Sequence, residues 1–156
     1  MNKLKLGLSG IVIFIFGFMA GIYTLPIMVA PEPLSMLELA TASQNAKYKA
    51  MISEGLDGSD FLHNGTGEFY LSPSEIVFKG TLTPGPDYQL YLSKQFVENE
   101  EQFMQHKNSM INIAEVKRFD GFIKQVPNQL DIDEYTTIVI WCEAFEEFIT
   151  AAKYKG

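Results

Sequence analysis

The chain predicts an all-β fold: an antiparallel β-sandwich preceded by an N-terminal transmembrane helix and a juxtamembrane helix. Three observations carry this. Residues 6–30 form one uncharged, predominantly apolar run. From Gly55 onward, short apolar runs alternate with turns rich in Gly, Pro and Ser, the close strand spacing of a sandwich or barrel. Thr137-Ile138-Val139-Ile140-Trp141-Cys142 is almost wholly apolar and β-favouring, as expected of a central strand buried on both faces.

The apolar run comes first in the chain. At about 1.5 Å per residue it makes a helix of roughly 37 Å, longer than a ~30 Å hydrocarbon core. Lys3 and Lys5 precede it, and Glu32 and Glu38 follow. The positive-inside rule then puts the N-terminus in the cytoplasm and the main domain outside, periplasmic or extracellular. A cleaved signal peptide is the rival reading. Met28-Val29-Ala30 offers only one good small residue before a cut, Pro31 follows directly, and the run is long for a signal peptide. An uncleaved signal anchor is the better reading. Gly17 and Gly21 form a small-xxx-small face on which a second membrane helix would pack.

Pro31-Glu32-Pro33 ends the membrane helix. Residues 35–54 carry Leu37, Leu39, Ala42, Ala46 and Ala50 at loose helical spacing without internal Pro or Gly until Gly55, and predict a helix. Ser35 and Glu38 have the spacing of a capping box. The chain thus divides into a cytoplasmic tip (1–5), an anchor (6–30), a helical linker (31–53) and a sandwich domain (54–156).

Within the domain, residues 67–71 and 75–79 flank Ser72-Pro73-Ser74 and read as a hairpin. Residues 88–92 alternate with period two after the turn Pro84-Gly85-Pro86-Asp87. Residues 111–114, 121–126 and 148–151 supply further strands. Residues 98–109 are polar and predict an excursion or short helix.

Charge excludes one class of partner. Ten of the 12 basic and all 19 acidic residues follow the anchor, and only Arg118 among them is arginine. Nucleic acid needs clustered cations, so it is not a partner, and anionic lipid headgroups are disfavoured for the same reason. The expected partners are the membrane itself and a redox or membrane-protein partner.

Cys142 is the only cysteine, so no intramolecular disulfide forms. Trp141, Glu143, Glu146 and Glu147 surround it in sequence, and apolar and acidic neighbours raise a thiol pKa. On the residues alone a small buried hydrophobe competes with a reactive thiol. His63 and His106 are the only histidines. Imidazole and thiolate are normal iron ligands, but the three residues lack zinc-motif spacing and there is no covalent haem-attachment sequence. A turn-stabilising role for His63 and solvent exposure for His106 compete with ligation. Gly55-Leu56-Asp57-Gly58-Ser59-Asp60 lacks the spacing of a calcium loop. Asp131-x-Asp133-Glu134 reads as a turn cap.

Gly85-Pro86-Asp87-Tyr88-Gln89-Leu90-Tyr91-Leu92-Ser93, then Asp133-Glu134-Tyr135, then Ile138-Val139-Ile140-Trp141-Cys142-Glu143-Ala144-Phe145 resemble the DM-thirteen domain, the electron-transfer DM family. Phe61, His63 and Gly65 to Gly67 resemble its opening. The resemblance covers residues 54–153. It implies a β-sandwich with a cysteine acting in electron transfer, as a bare thiol or as the ligand of a cofactor such as haem. That role falls on Cys142, with His63 as the candidate second cofactor-binding residue. The chain departs from the family in its middle. Ile113 to Gly121 and Val126-Pro127 replace a glycine-rich stretch and a Tyr-x-Ile-Pro-like strand, so the loop opposite the cysteine is expected to be reshaped. The alternative is a non-enzymatic binding module in which Cys142 is only core.

Overall fold

The computed structural model describes residues 3–156. Met1 and Asn2 of the expected cytoplasmic tip lie outside the described residues. Helix α1 (Lys3–Met28) leads, followed by α2 (Met36–Ala42) and eight strands: β1 (Tyr48–Met51), β2 (Gly65–Leu71), β3 (Glu75–Leu82), β4 (Tyr88–Ser93), β5 (Ile111–Val116), β6 (Phe122–Gln125), β7 (Thr137–Cys142) and β8 (Glu147–Lys153). A further helix, α3 (Glu100–His106), sits between β4 and β5.

The strands form two antiparallel four-stranded sheets, ordered β1-β2-β3-β6 and β5-β4-β7-β8. Their inner faces share one core. Phe69, Phe78 and Phe122 from the first sheet meet Leu90, Leu92, Ile138 and Ile140 from the second. The three phenylalanines pack ring against ring, with centroids 4.8 Å (Phe69–Phe78) and 5.1 Å (Phe78–Phe122) apart.

The second sheet is buried on its outer face as well. There α3 lays Phe103 on Trp141, rings parallel within 9° and centroids 3.9 Å apart, beside Tyr91, Val139 and Phe148. This covering explains why every residue of β7 is buried, as its apolar run predicts. It also buries Tyr91, which a half-exposed period-two strand would have left to solvent. Asn99 caps α3 by accepting from the Gln102 N–H at 3.0 Å.

The helix expected over residues 35–54 is shorter. Ser35 and Glu38 do form the capping box, but α2 ends at Ala42 and a 3₁₀ turn (Ser43–Asn45) follows. Ser43 turns its hydroxyl back to the Ala40 carbonyl at 3.0 Å, a local bond that competes with helix propagation. Tyr48–Met51 then pairs with β2, so the sandwich takes its first strand from the segment read as helical linker. Leu39 is the buried residue of α2.

Helix α1 is long and apolar enough to cross a membrane. Most of its large side chains are exposed, Phe14 and Phe16 by 72% and 74%. Near its C-terminal end Ile22, Tyr23 and Pro26 are half-buried and line clefts shared with loops at one end of the sandwich.

Candidate functional site around Cys142

Strand β7 is an interior strand of its sheet, and its alternation decides which way the cysteine points. Val139 and Trp141 face α3, whereas Ile138, Ile140 and Cys142 belong to the core between the sheets. A bulge between β7 and β8 beside Trp141 shifts the phase of β8. Phe148 and Ala151, three apart, therefore share the outer cluster, while Ile149 and Ala152 share the inner one.

Cys142 ends β7 at the rim of that core and is 2% exposed. Its Sγ–H donates to the Pro86 carbonyl at 3.0 Å. Pro86 belongs to the β3–β4 turn, and the register pairs Tyr88 with Cys142 across the adjacent strand. The Glu143 N–H donates to the Asp87 carbonyl at 3.1 Å, closing the contact between turn and strand end. Asp87 sits at φ 53°, a left-handed conformation that Asp tolerates better than most residues. Gly85 is required by packing: a Cβ there would lie 2.5 Å from the Tyr88 hydroxyl. The Gly-Pro-Asp turn is thus the clamp that holds the cysteine.

A cavity of about 20 Å3 opens beside the thiol, lined by Cys142, His63, Tyr88 and Pro86 and by Ile22 and Tyr23 of α1. The structure brings together the two residues the sequence singles out, Cys142 and His63, at this cavity. His63 is placed by Asp60, whose carboxylate accepts from the Leu62 and His63 N–H groups at 2.7 Å each and lies 3.2 Å from His63 Nδ1. Those hydrogen bonds hold the Asp60 pKa below the usual carboxylate range against the opposing effect of burial. His106 ends α3 on the other side of the sheet, is half-buried, and does not join the cavity. Among the described residues no group of His, Cys, Asp and Glu has the arrangement of a metal site.

Burial pushes the Cys142 thiol pKa up; Asp87 and Glu147 add to the rise, and the Phe145 and Ala144 N–H groups oppose it. Among the described residues no Lys or Arg lines the cavity, and Glu147 does. The thiol is therefore held protonated at neutral pH. Burial also raises the Tyr88 pKa. A thiol and an imidazole are suitable donors for haem iron. The cavity, however, has room for about one water molecule and none for a macrocycle, so these residues do not fit haem.

Nothing in the sequence marks Tyr88, Pro86 or the α1 residues Ile22 and Tyr23 as part of a site. The Gly-Pro-Asp motif points to the turn, but only the β4–β7 register sets Tyr88 opposite Cys142.

On the outer face, Glu143 joins two elements. It accepts from Lys107 at 2.6 Å and from the Tyr91 hydroxyl. Burial opposes its ionisation, but these two bonds outweigh it and its pKa is lowered. Burial, and then the bond to Glu143, push the Tyr91 pKa up to about 12. Lys107 also lies 5.7 Å from the Phe103 and Trp141 ring centroids.

A family model described as Electron transfer DM13 matches residues 55–154. No curated protein and no solved structure matches the chain. The match covers β2 to β8, including the turn and the strand that together hold Cys142. The chain belongs to the electron transfer DM13 family.

Proposed function

We propose that this protein is a membrane-anchored electron-transfer domain, held outside the cytoplasm by α1, in which the bare thiol of Cys142 is the group that changes oxidation state. One observation carries the reading. The most distinctive turn of the domain is built to grip this one sulfur, through the Pro86 carbonyl at 3.0 Å, beside a cavity it shares with a histidine. Lys3 and Lys5 before the apolar helix and acidic residues after it support the outside placement.

The chemistry follows from protonation. A thiol above its ordinary pKa is a poor nucleophile, because the thiolate is the attacking species. Electron loss from it is coupled to proton loss. The S–H bond, which points at the Pro86 carbonyl at rest, breaks; one electron passes to a strongly oxidising one-electron acceptor on a redox partner, and the proton turns into the cavity and passes to His63 or Glu147, both of which line it. Return of an electron and a proton restores the thiol.

A binding module in which Cys142 is only core is favoured by a single observation, the 2% exposure of that residue. Flash photolysis separates the two readings. Full-length protein in detergent is mixed with a ruthenium polypyridyl complex oxidised by light, and the return of the complex to its reduced state is timed. Faster return with wild type than with Cys142→Ser supports the redox reading. Equal rates with both proteins, each folded by circular dichroism, overturn it.

A further inference from the structure

We propose that the end of the sandwich carrying Cys142 rests in the outer leaflet of the membrane, with Phe145 and Phe61 as its inserted side chains. The inference rests on the reading of α1 as a membrane anchor and goes beyond it, since an anchor by itself leaves a domain free to stand away from the bilayer.

The argument is one of depth. Phe145, Ala144 and Pro86, from the loops at this end, share an open apolar cleft with Ile22, Leu25 and Pro26 of α1. Lys5 marks the first charge boundary of the span, which runs to Met28. Seventeen residues lead from Lys5 to Ile22, about 26 Å of helix, whereas the hydrocarbon core is ~30 Å thick. Tilting the helix shortens the depth further. With Lys5 at the inner boundary, the loop tips beside the half-buried Ile22 and Tyr23 therefore lie at the outer boundary of the core.

The side chains there fit that depth. Phe145 is 51% exposed and Phe61, two residues before His63, is 83% exposed, in a domain whose other phenylalanines are mostly buried. The β3–β4 turn adds Pro84 and Pro86. Aromatic side chains exposed at a membrane boundary are stabilised by burial among lipid chains.

Charge selects the kind of membrane surface. The cations of the β5–β6 loop are paired with local carboxylates, Lys117 with Glu115 at 2.9 Å and Arg118 with Asp120, and Arg118 also donates to the Pro31 carbonyl. Asp57, Asp60, Asp87 and Glu146 lie in loops of the same end. Such a surface seats itself by apolar contact on zwitterionic lipid and gains nothing from anionic headgroups. Because Ile22 and Tyr23 of α1 line the Cys142 cavity, the thiol sits at this boundary.

The test is fluorescence quenching in nanodiscs of phosphatidylcholine with or without brominated acyl chains. Full-length variants Phe145→Trp, Phe61→Trp, Asn128→Trp and Phe14→Trp are compared with wild type, whose Trp141 emission is the baseline. Asn128 is exposed at the opposite end of the sandwich, and Phe14 lies within α1. The added emission of Phe145→Trp and Phe61→Trp is expected to be lost in brominated lipid, as is that of Phe14→Trp, while Asn128→Trp keeps its emission. Quenching of Phe14→Trp alone overturns the docking and leaves the anchor standing. No quenching of Phe14→Trp overturns the anchor reading and the docking with it. Quenching that appears only when phosphatidylserine is added overturns the apolar mode of docking.

Discussion

The Cys142 thiol donates to the Pro86 carbonyl at 3.0 Å, and this contact joins two stretches more than fifty residues apart in sequence. One is the Gly-Pro-Asp turn and the other the apolar strand that ends in cysteine. Their register, Tyr88 opposite Cys142, makes the tyrosine ring part of the same site.

Gly85→Ala tests the clamp. The added methyl group meets the Tyr88 hydroxyl at 2.5 Å, so the turn or the ring must move. Overpacking of this kind costs about 1–3 kcal/mol. Urea unfolding of the variant checks the cost. An unchanged midpoint would show that the turn yields freely and does not grip the sulfur.

The thiol itself has a readable pH signature. Its folded pKa lies above the unfolded value, so the native state holds the proton more tightly. The resulting stability is fully present below the ordinary thiol pKa of about 8.5 and is lost as pH rises through the folded value. Tyr91, raised to about 12, extends the loss to higher pH. Iodoacetamide should label folded protein more slowly than urea-unfolded protein from pH 7 to 9. Labelling at the unfolded rate near pH 7 would contradict the protonated, enclosed thiol.

Glu143 behaves with the opposite sign. Its folded pKa is depressed, so its contribution is present above the ordinary glutamate pKa and fades as pH falls through the folded value. Glu143→Gln is expected to cost about 1 kcal/mol at neutral pH and to flatten the acid limb of stability. The pair is about 30% exposed, which limits the effect. An acid limb identical to wild type would assign that limb to other carboxylates.

Phe103→Ala tests the outer layer. Phe103 is fully buried on Trp141, and truncating such a ring costs about 3–5 kcal/mol. Trp141 fluorescence, the only tryptophan signal, should shift to the red as α3 loosens. An unshifted spectrum with near-native stability would mean that α3 does not hold this face closed.

Much of the fold is legible in local pattern. The hairpin around Pro73 and the buried run ending at Cys142 are both dictated by turn chemistry and hydrophobic spacing, and both appear in the structure. The segment after Ser35 shows the limit. Ala46 and Ala50 continue a helical spacing, yet Tyr48–Met51 is taken by the open edge of β2, whose paired residues lie 17 to 23 positions further along the chain. Local propensity does not contain that competition. The burial of Tyr91 is hidden for a similar reason, since α3 covers it from another part of the chain. At the site, Cys142 and His63 are visible as residue types. Tyr88, Pro86, Ile22 and Tyr23 are brought to them only by strand register and by the docking of α1.

The most direct measurement locates the oxidised atom. Full-length protein in phosphatidylcholine nanodiscs is oxidised by the light-driven ruthenium complex in the presence of a nitrone spin trap, digested, and mapped by mass spectrometry. A redox role for the thiol predicts an adduct on Cys142 that falls when His63→Phe and Glu147→Gln together remove the proton acceptors of the cavity. Adducts confined to Trp141 and the tyrosines, with Cys142 recovered as unmodified thiol, would contradict it.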